Sequence, residues 1–187
     1  KKLNIKVAHV EAGIRSYDMT MPEEINRMVT DSITDYFFTT TRWASSNLVK
    51  AGIDENRIYL VGNVMIDTLL ANIDRFVKPA IYDELNLQEK GYIMLTLHRP
   101  ANVDETNHLK ALMTEIVENA KGLPIIFPIH PRTAKLFAEL GIEAPNLHIV
   151  SPMGYLEFNY MVKRALAVVT DSGGITEETT VMGVPCI

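Results

Sequence analysis

Short β-rich runs alternate with helix-forming stretches along all 187 residues, and this alternation constrains the fold more than any other feature. Strand-like segments are expected at residues 5–10, 36–40, 58–61, 92–97, 125–129, 148–150 and 167–170. They are short and rich in Val, Ile, Tyr and Phe, as buried strands are. Helices are expected between them, at residues 23–33, 43–51, 64–76, 107–120, 132–140 and 176–182. Pro22 opens the first, and Gly52, Gly122, Gly141 and Gly183 follow later ones as C-terminal stops. In residues 64–76, Met65, Leu69, Ile73 and Phe76 recur at spacings of three and four, which puts them on one side of a helix. Strands separated by helices form βαβ units, so the expected class is α/β with parallel sheets. The alternation breaks at residues 76–91, "FVKPAIYDELNLQEKG", which have no clean period; a domain junction is expected there.

Composition narrows the function. At 47% hydrophobic and 22% charged residues the chain reads as globular, not disordered. A net charge of −5 and the absence of a basic block argue against nucleic acid as a partner. A phosphate-bearing small molecule stays open, because local Arg, His and helix N-termini can bind one in an acidic protein. The single cysteine, Cys186, excludes a disulfide framework and a cysteine-based metal site, and fits a reducing compartment such as the cytoplasm. No apolar run approaches the roughly 18 residues of a membrane span, so no membrane partner is expected. The chain opens on a strand-like run and closes on the start of another, and it is expected to be part of a longer protein.

In parallel sheets, ligands bind beyond the carboxyl ends of the strands. Three motifs lie there. In "VVTDSGGITEE", residues 168–178, an apolar strand runs through Asp-Ser-Gly-Gly into a helix. Glycines allow close backbone approach, free helix-start N–H groups can hold a phosphate, and the Ser172 hydroxyl can add a hydrogen bond. Glu177 or Glu178 could accept from ribose hydroxyls; a plain capped turn is the alternative. In "LTLHRPANVD", residues 95–104, His98 and Arg99 end a strand. A histidine there can serve as acid, base or phosphate partner, or simply as a hydrogen-bonded structural group. "FPIHPRT", residues 127–133, repeats the arrangement with His130 and Arg132.

The densest stretch is "HVEAGIRSYDMTMPEEINR", residues 9–27. Glu11 should end the first strand, where it either performs chemistry or forms a salt bridge with Arg15 or Arg27. Glu23 and Glu24 begin a helix, where acids also complement the dipole. No acid–histidine cluster has metal-ligand spacing, so these acids need not imply a metal; no metal site and no cofactor are expected.

Six motifs, "HVEAGIRS", "PEEINR", "GNVMID", "TLHRPAN", "PMGYLEF" and "DSGGITEE", occur in this order. Together they resemble the non-hydrolysing UDP-N-acetylglucosamine 2-epimerases, over essentially the whole chain. The resemblance implies two Rossmann-like domains of the glycosyltransferase-B type. On that template residues 1–63 end the N-terminal domain, 64–90 form a crossover helix and linker, and 91–187 form most of the C-terminal, UDP-binding domain. A catalytic Asp and a basic diphosphate-binding loop of the family would precede this sequence, and a helix that packs back would follow it. The implied reaction interconverts UDP-N-acetylglucosamine and UDP-N-acetylmannosamine through loss and re-addition of UDP. The implied roles are proton transfer at C2 for Glu11 and Glu23, and stabilisation of leaving UDP for His98. Ser172, Gly173 and Gly174 would hold phosphates and Glu178 the ribose. Arg27 would orient the acids or contact substrate, and His130 matches a position tied to a regulatory UDP-sugar site. A homodimer is implied for the full-length protein. The competing readings are a UDP-sugar glycosyltransferase of the same fold and a non-catalytic nucleotide-sugar-binding fragment. A transferase has no use for acids on both faces of C2.

Overall fold

The computed structural model describes residues 1–99, 102, 105–129, 137, 141–142 and 144–187. The helix expected at 132–140 lies outside the described residues, apart from Phe137. The chain folds as two compact units, Lys1–Thr68 and Leu69–Ile187.

The first unit carries a parallel sheet of β1 (Ala8–Val10), β2 (Tyr36–Thr39) and β3 (Ile58–Leu60), in that order. Helix α1 (Pro22–Ile33) joins β1 to β2, and α2 (Arg42–Lys50) joins β2 to β3. Thr41 caps α2 by accepting the Ala44 N–H at 3.1 Å. Gly52 closes it with φ +84°, and the Ile53 N–H reaches back to the Leu48 carbonyl at 3.0 Å. Phe37 and Leu48 pack with Ala12 in a small core, each buried side chain of this size contributing roughly 1.5–3 kcal/mol. Gly13 lies so close to α2 that a Cβ there would sit 2.3 Å from the Ala44 carbonyl oxygen. That contact, with φ +76°, requires glycine.

The second unit is built on a parallel sheet in the order β6 (Leu147–Val150), β5 (Ile125–Pro128), β4 (Ile93–Thr96) and β7 (Ala167–Thr170). Strand side chains alternate faces. Met94, Ile126 and Val168 enter one core, with Met161 and Val162 of α6 (Tyr155–Arg164). Leu95, Ile125 and Phe127 enter the other, with Leu109 and Met113 of α5 (Thr106–Asn119). Helix α7 (Gly173–Met182) follows β7 and ends at Gly183, φ +68°. The chain then returns beside β7, where the Val168 N–H donates to Pro185 and the Ile187 N–H to Val168.

Two elements differ from expectation. The expected helix over 64–76 is α3 (Val64–Asn72), which tightens into a 3₁₀ turn at Ile73–Arg75, a usual way for a helix to end. Residues 76–91, aperiodic in sequence, contain a short helix α4 (Ala80–Glu84). Ile81, Tyr82, Leu85 and Leu87 there pack on the core of the second unit, and Tyr82 meets Tyr92 and Tyr160 edge-on. Helix α6 had no sequence expectation because tyrosines and charges blur its stripe. It is set by Glu157, which accepts the Gly154 N–H at 3.3 Å, and by Lys163 and Arg164 at its negative end. Among the described residues no helix is long and apolar enough to cross a membrane.

Candidate functional site

In the second unit, β4 leads through α5 to one side of the sheet, whereas β7 lies on the other side of β4. The connections therefore diverge at the carboxyl ends of β4 and β7, which is where such sheets hold ligands. A cavity of about 550 Å³ opens there, large enough for a nucleotide. Its wall includes His98 after β4, Ile129 after β5, Met153 and Phe158 before and within α6, and Ser172 and Ile175 at the start of α7.

Helix α7 opens at Ser172 with no side-chain cap. The first N–H groups of a helix have no partner within it, so this end offers donors and the positive end of the dipole. A Cβ on Gly173 would meet nothing within 4 Å, and Gly173 has no positive φ. The protein's own packing therefore does not require glycine at this position. Glu178, one turn further along, accepts a hydrogen bond from the Tyr155 hydroxyl at 2.9 Å. Burial raises the Glu178 carboxyl above its ordinary value, against the opposing hydrogen bonds from Tyr155 and Asn159. Burial and the bond to Glu178 push the Tyr155 hydroxyl up to about 12.

His98 does not stand alone. Its Nδ1 is 2.6 Å from Oδ1 of Asp171, at the end of β7. The imidazole is 62% exposed, while the Asp171 side chain is 6% exposed. Asp171 also accepts the backbone N–H groups of His98 (3.0 Å) and Arg99 (2.8 Å) and the Asn102 amide (3.1 Å). Burial alone would raise this carboxyl; the Arg99 and His98 N–H groups, with Asn102, hold it below the usual range.

In the first unit, Glu11 follows β1 with φ +66°, a left-handed backbone that is costly for a residue with a Cβ and is concentrated at functional sites. The next residues are pinned. The Ala12 N–H donates to the Phe38 carbonyl at 3.0 Å, and the Asn47 amide donates to the Gly13 carbonyl at 3.0 Å. Arg15 Nη2 reaches Asp31 at 2.5 Å, and His9 Nδ1 reaches the other Asp31 oxygen at 2.6 Å. Burial would raise Asp31, but the hydrogen bonds from His9 and Arg15 keep it lowered.

The two neighbouring acids of α1 part company. Glu24 is buried, and it accepts the Ser16 N–H at 2.9 Å, the Ser16 hydroxyl at 3.1 Å and the Tyr17 N–H at 3.2 Å. Arg27 adds a contact at 3.4 Å. The Ser16 N–H holds the Glu24 carboxyl low against the effect of burial. Glu24 is therefore a clamp between the loop after β1 and the first turn of α1, more than a helix-start residue. Glu23 is exposed. Among the described residues neither Glu23 nor Glu11 has a hydrogen bond or ion pair to its carboxylate. The salt-bridge alternative for Glu11 is not what forms, because Arg15 pairs with Asp31 and Arg27 with Glu24. Two acids with open carboxylates thus sit on a loop and a helix start that Glu24 ties together.

His130 lies outside the described residues. Among the described residues no three His, Cys, Asp or Glu side chains gather as a metal site. The sequence singles out His98 and Ser172 but does not mark Asp171 as a partner of His98. The available signal was that Asp171, like His98, ends a strand.

A family model described as UDP-N-acetylglucosamine 2-epimerase matches residues 1–187. The UDP-N-acetylglucosamine 2-epimerase of Methanocaldococcus jannaschii is 43% identical over 197 residues, covering 100% of this chain and 54% of that protein. Its crystal structure, in complex with UDP-GlcNAc and UDP, superposes with a TM-score of 0.85 at 44% identity, over 99% of this chain and 53% of that one. The UDP-2,3-diacetamido-2,3-dideoxy-D-glucuronate 2-epimerase of Pseudomonas aeruginosa is 37% identical, over 100% of this chain and 52% of that protein. The chain spans about half the length of these relatives.

Proposed function

This chain belongs to the UDP-N-acetylglucosamine 2-epimerase family, and we propose that the protein interconverts UDP-N-acetylglucosamine and UDP-N-acetylmannosamine. The observation that carries the reading is the pair of carboxylates, Glu11 and Glu23, open among the described residues, in a region where Arg15 and Arg27 already pair with Asp31 and Glu24. The C2 proton of the sugar is not next to a carbonyl, so direct deprotonation is too costly. Loss of UDP from C1 changes that. A base takes the C2 proton, the C–H electron pair becomes the C1–C2 double bond, and the C1–O pair leaves with UDP. The product is a 2-acetamidoglucal. A proton then arrives at C2 on the opposite face, and a UDP oxygen re-forms the bond to C1. One carboxylate and one carboxylic acid, exchanging roles between directions, meet this need.

Glu11 and Glu23 act at C2 in this scheme. His98 stabilises the charge that grows on departing UDP. Ser172, Gly173 and Gly174 hold the diphosphate at the start of α7, which is supported by the uncapped helix end and the open space before Gly173. Glu178 accepts from the ribose, displacing Tyr155. Arg27 keeps Glu24 in place and so orients the region of Glu23. N-acetylglucosamine is preferred over a diacetamido uronate as the sugar because the M. jannaschii protein is nearer in sequence, at 43% against 37% identity. The same reading has the full-length enzyme act as a cytoplasmic homodimer that supplies UDP-N-acetylmannosamine for cell-surface polysaccharide.

The test is proton NMR of UDP-N-acetylglucosamine with the full-length protein in heavy water. Epimerisation should proceed with deuterium entering C2. Turnover that leaves the C2 proton unexchanged, or transfer of the sugar to an acceptor, defeats the proposal.

A further inference from the structure

We infer that Asp171 is the positioning residue of His98: it fixes which imidazole nitrogen carries a proton and turns the other toward the cavity. The inference rests on the role given to His98 above and deepens it. A carboxylate has no hydrogen to donate, so His98 Nδ1, 2.6 Å from Asp171 Oδ1, must carry one. The neutral ring is then the Nδ1–H tautomer, with the Nε2 lone pair facing outward. Uptake of a second proton puts an N–H donor and a positive charge at Nε2. That is the group a departing diphosphate needs. His98 is 62% exposed, and Asp171, with a 6% exposed side chain, is the one described residue that engages its ring. Exposure leaves the ring free to rotate; this contact selects one orientation.

The pair also spans the divergence of the two strands. Asp171 ends β7, and its carboxylate accepts the backbone N–H groups of His98 and Arg99 after β4. A purely architectural Asp171 would clamp those N–H groups and leave the ring's tautomer to solvent. The Asp171→Asn variant separates the two roles. Its amide oxygen can occupy the Oδ2 position and keep the Arg99 and His98 N–H groups, while its NH2 group faces Nδ1. The ring must then accept at Nδ1 and carry its proton on Nε2, which changes the tautomer and removes the support for a cation.

The experiment is side-chain 15N NMR of the histidine-labelled full-length enzyme without nucleotide, at alkaline pH where an imidazole is neutral and has a single tautomer to read. The His98 signal is assigned by its loss in the His98→Gln variant, and kinetics are measured alongside. The expected result is the Nδ1–H tautomer in the wild type and the Nε2–H tautomer in Asp171→Asn. Its kcat should fall by about 10²-fold or more while KM stays within about threefold, the split expected for a loss confined to the transition state. A wild-type Nε2–H tautomer overturns the inference whatever the variant does, so a variant that fails to fold does not shelter it. Unchanged kcat in a folded Asp171→Asn also overturns it. The tautomer readout does not depend on turnover. An enzyme with no epimerase activity would defeat the functional reading, and the pairing of Asp171 with His98 would still be decided.

Discussion

Glu23 and Glu24 are adjacent in sequence, yet their substitutions should fail in opposite ways. In Glu24→Gln, the amide oxygen can replace Oε2, which serves Ser16 and Arg27. The NH2 group then confronts the Tyr17 N–H that Oε1 accepts at 3.2 Å. One hydrogen bond to a charged group is lost, worth roughly 1.5–3 kcal/mol, and those that remain lose their charge assistance. Partial exposure of Ser16 and Tyr17 lets water recover some of this, so about 2 kcal/mol is the expected net cost. At about 4–8 °C per kcal/mol for a unit of 68 residues, Tm should drop by about 8–16 °C. Glu23 is exposed and unpaired, so Glu23→Gln should hold stability within about 0.5 kcal/mol of wild type. It should nonetheless lower deuterium incorporation at C2 by about 10²-fold or more while leaving UDP binding intact. Thermal melts by circular dichroism and NMR exchange in heavy water measure the two effects on the same samples. Equal stability loss in both variants, or full exchange activity in Glu23→Gln, refutes the division of labour.

Asp31 and Glu24 carry carboxyls held below their ordinary values in the folded state. Their contribution to stability is therefore complete above the unfolded values near pH 4 and is lost as pH falls through the folded ones. Asp31→Asn should melt with a shallower loss between about pH 5 and about pH 3 than the wild type, as followed by thermal melts across that range. Gly13→Ala should destabilise the first unit by about 3 kcal/mol or more, because its Cβ meets a backbone oxygen at φ +76°; solubility and Tm report it. Gly173→Ala should leave Tm unchanged and weaken UDP about tenfold by calorimetry, about 1.4 kcal/mol, since only a ligand meets the added methyl. Leu109→Ala, with no exposed surface, should cost about 2–5 kcal/mol in a urea titration.

Much of the architecture followed from local rules. The strands expected at 36–40, 58–61 and 167–170 form within a residue of those limits, because β-rich runs bounded by glycine and polar residues have few other uses. Gly52 and Gly183 stop helices as expected, both with positive φ. Helix α6 escaped notice because its apolar side chains, Phe158, Met161 and Val162, are interleaved with Tyr and charged residues. Their common face becomes evident only against Met94 and Val168. Residues 76–91 read as a junction because their apolar groups lack a period; an irregular segment packs by shape, which periodicity does not encode.

The candidate site divides along the same line. Strand ends and the Asp-Ser-Gly-Gly turn were legible as candidate positions, because parallel strands can present polar groups to a ligand only at their carboxyl ends. Pairing was not readable. Glu24 meets Ser16 and Tyr17 across a loop, Arg15 meets Asp31 sixteen residues on, and His98 meets Asp171 after seventy-three. Backbone preference is a property of a few consecutive residues and is written into their order. Which carboxylate is buried and bonded, and which is left open, depends on groups that meet only after the sheets have formed.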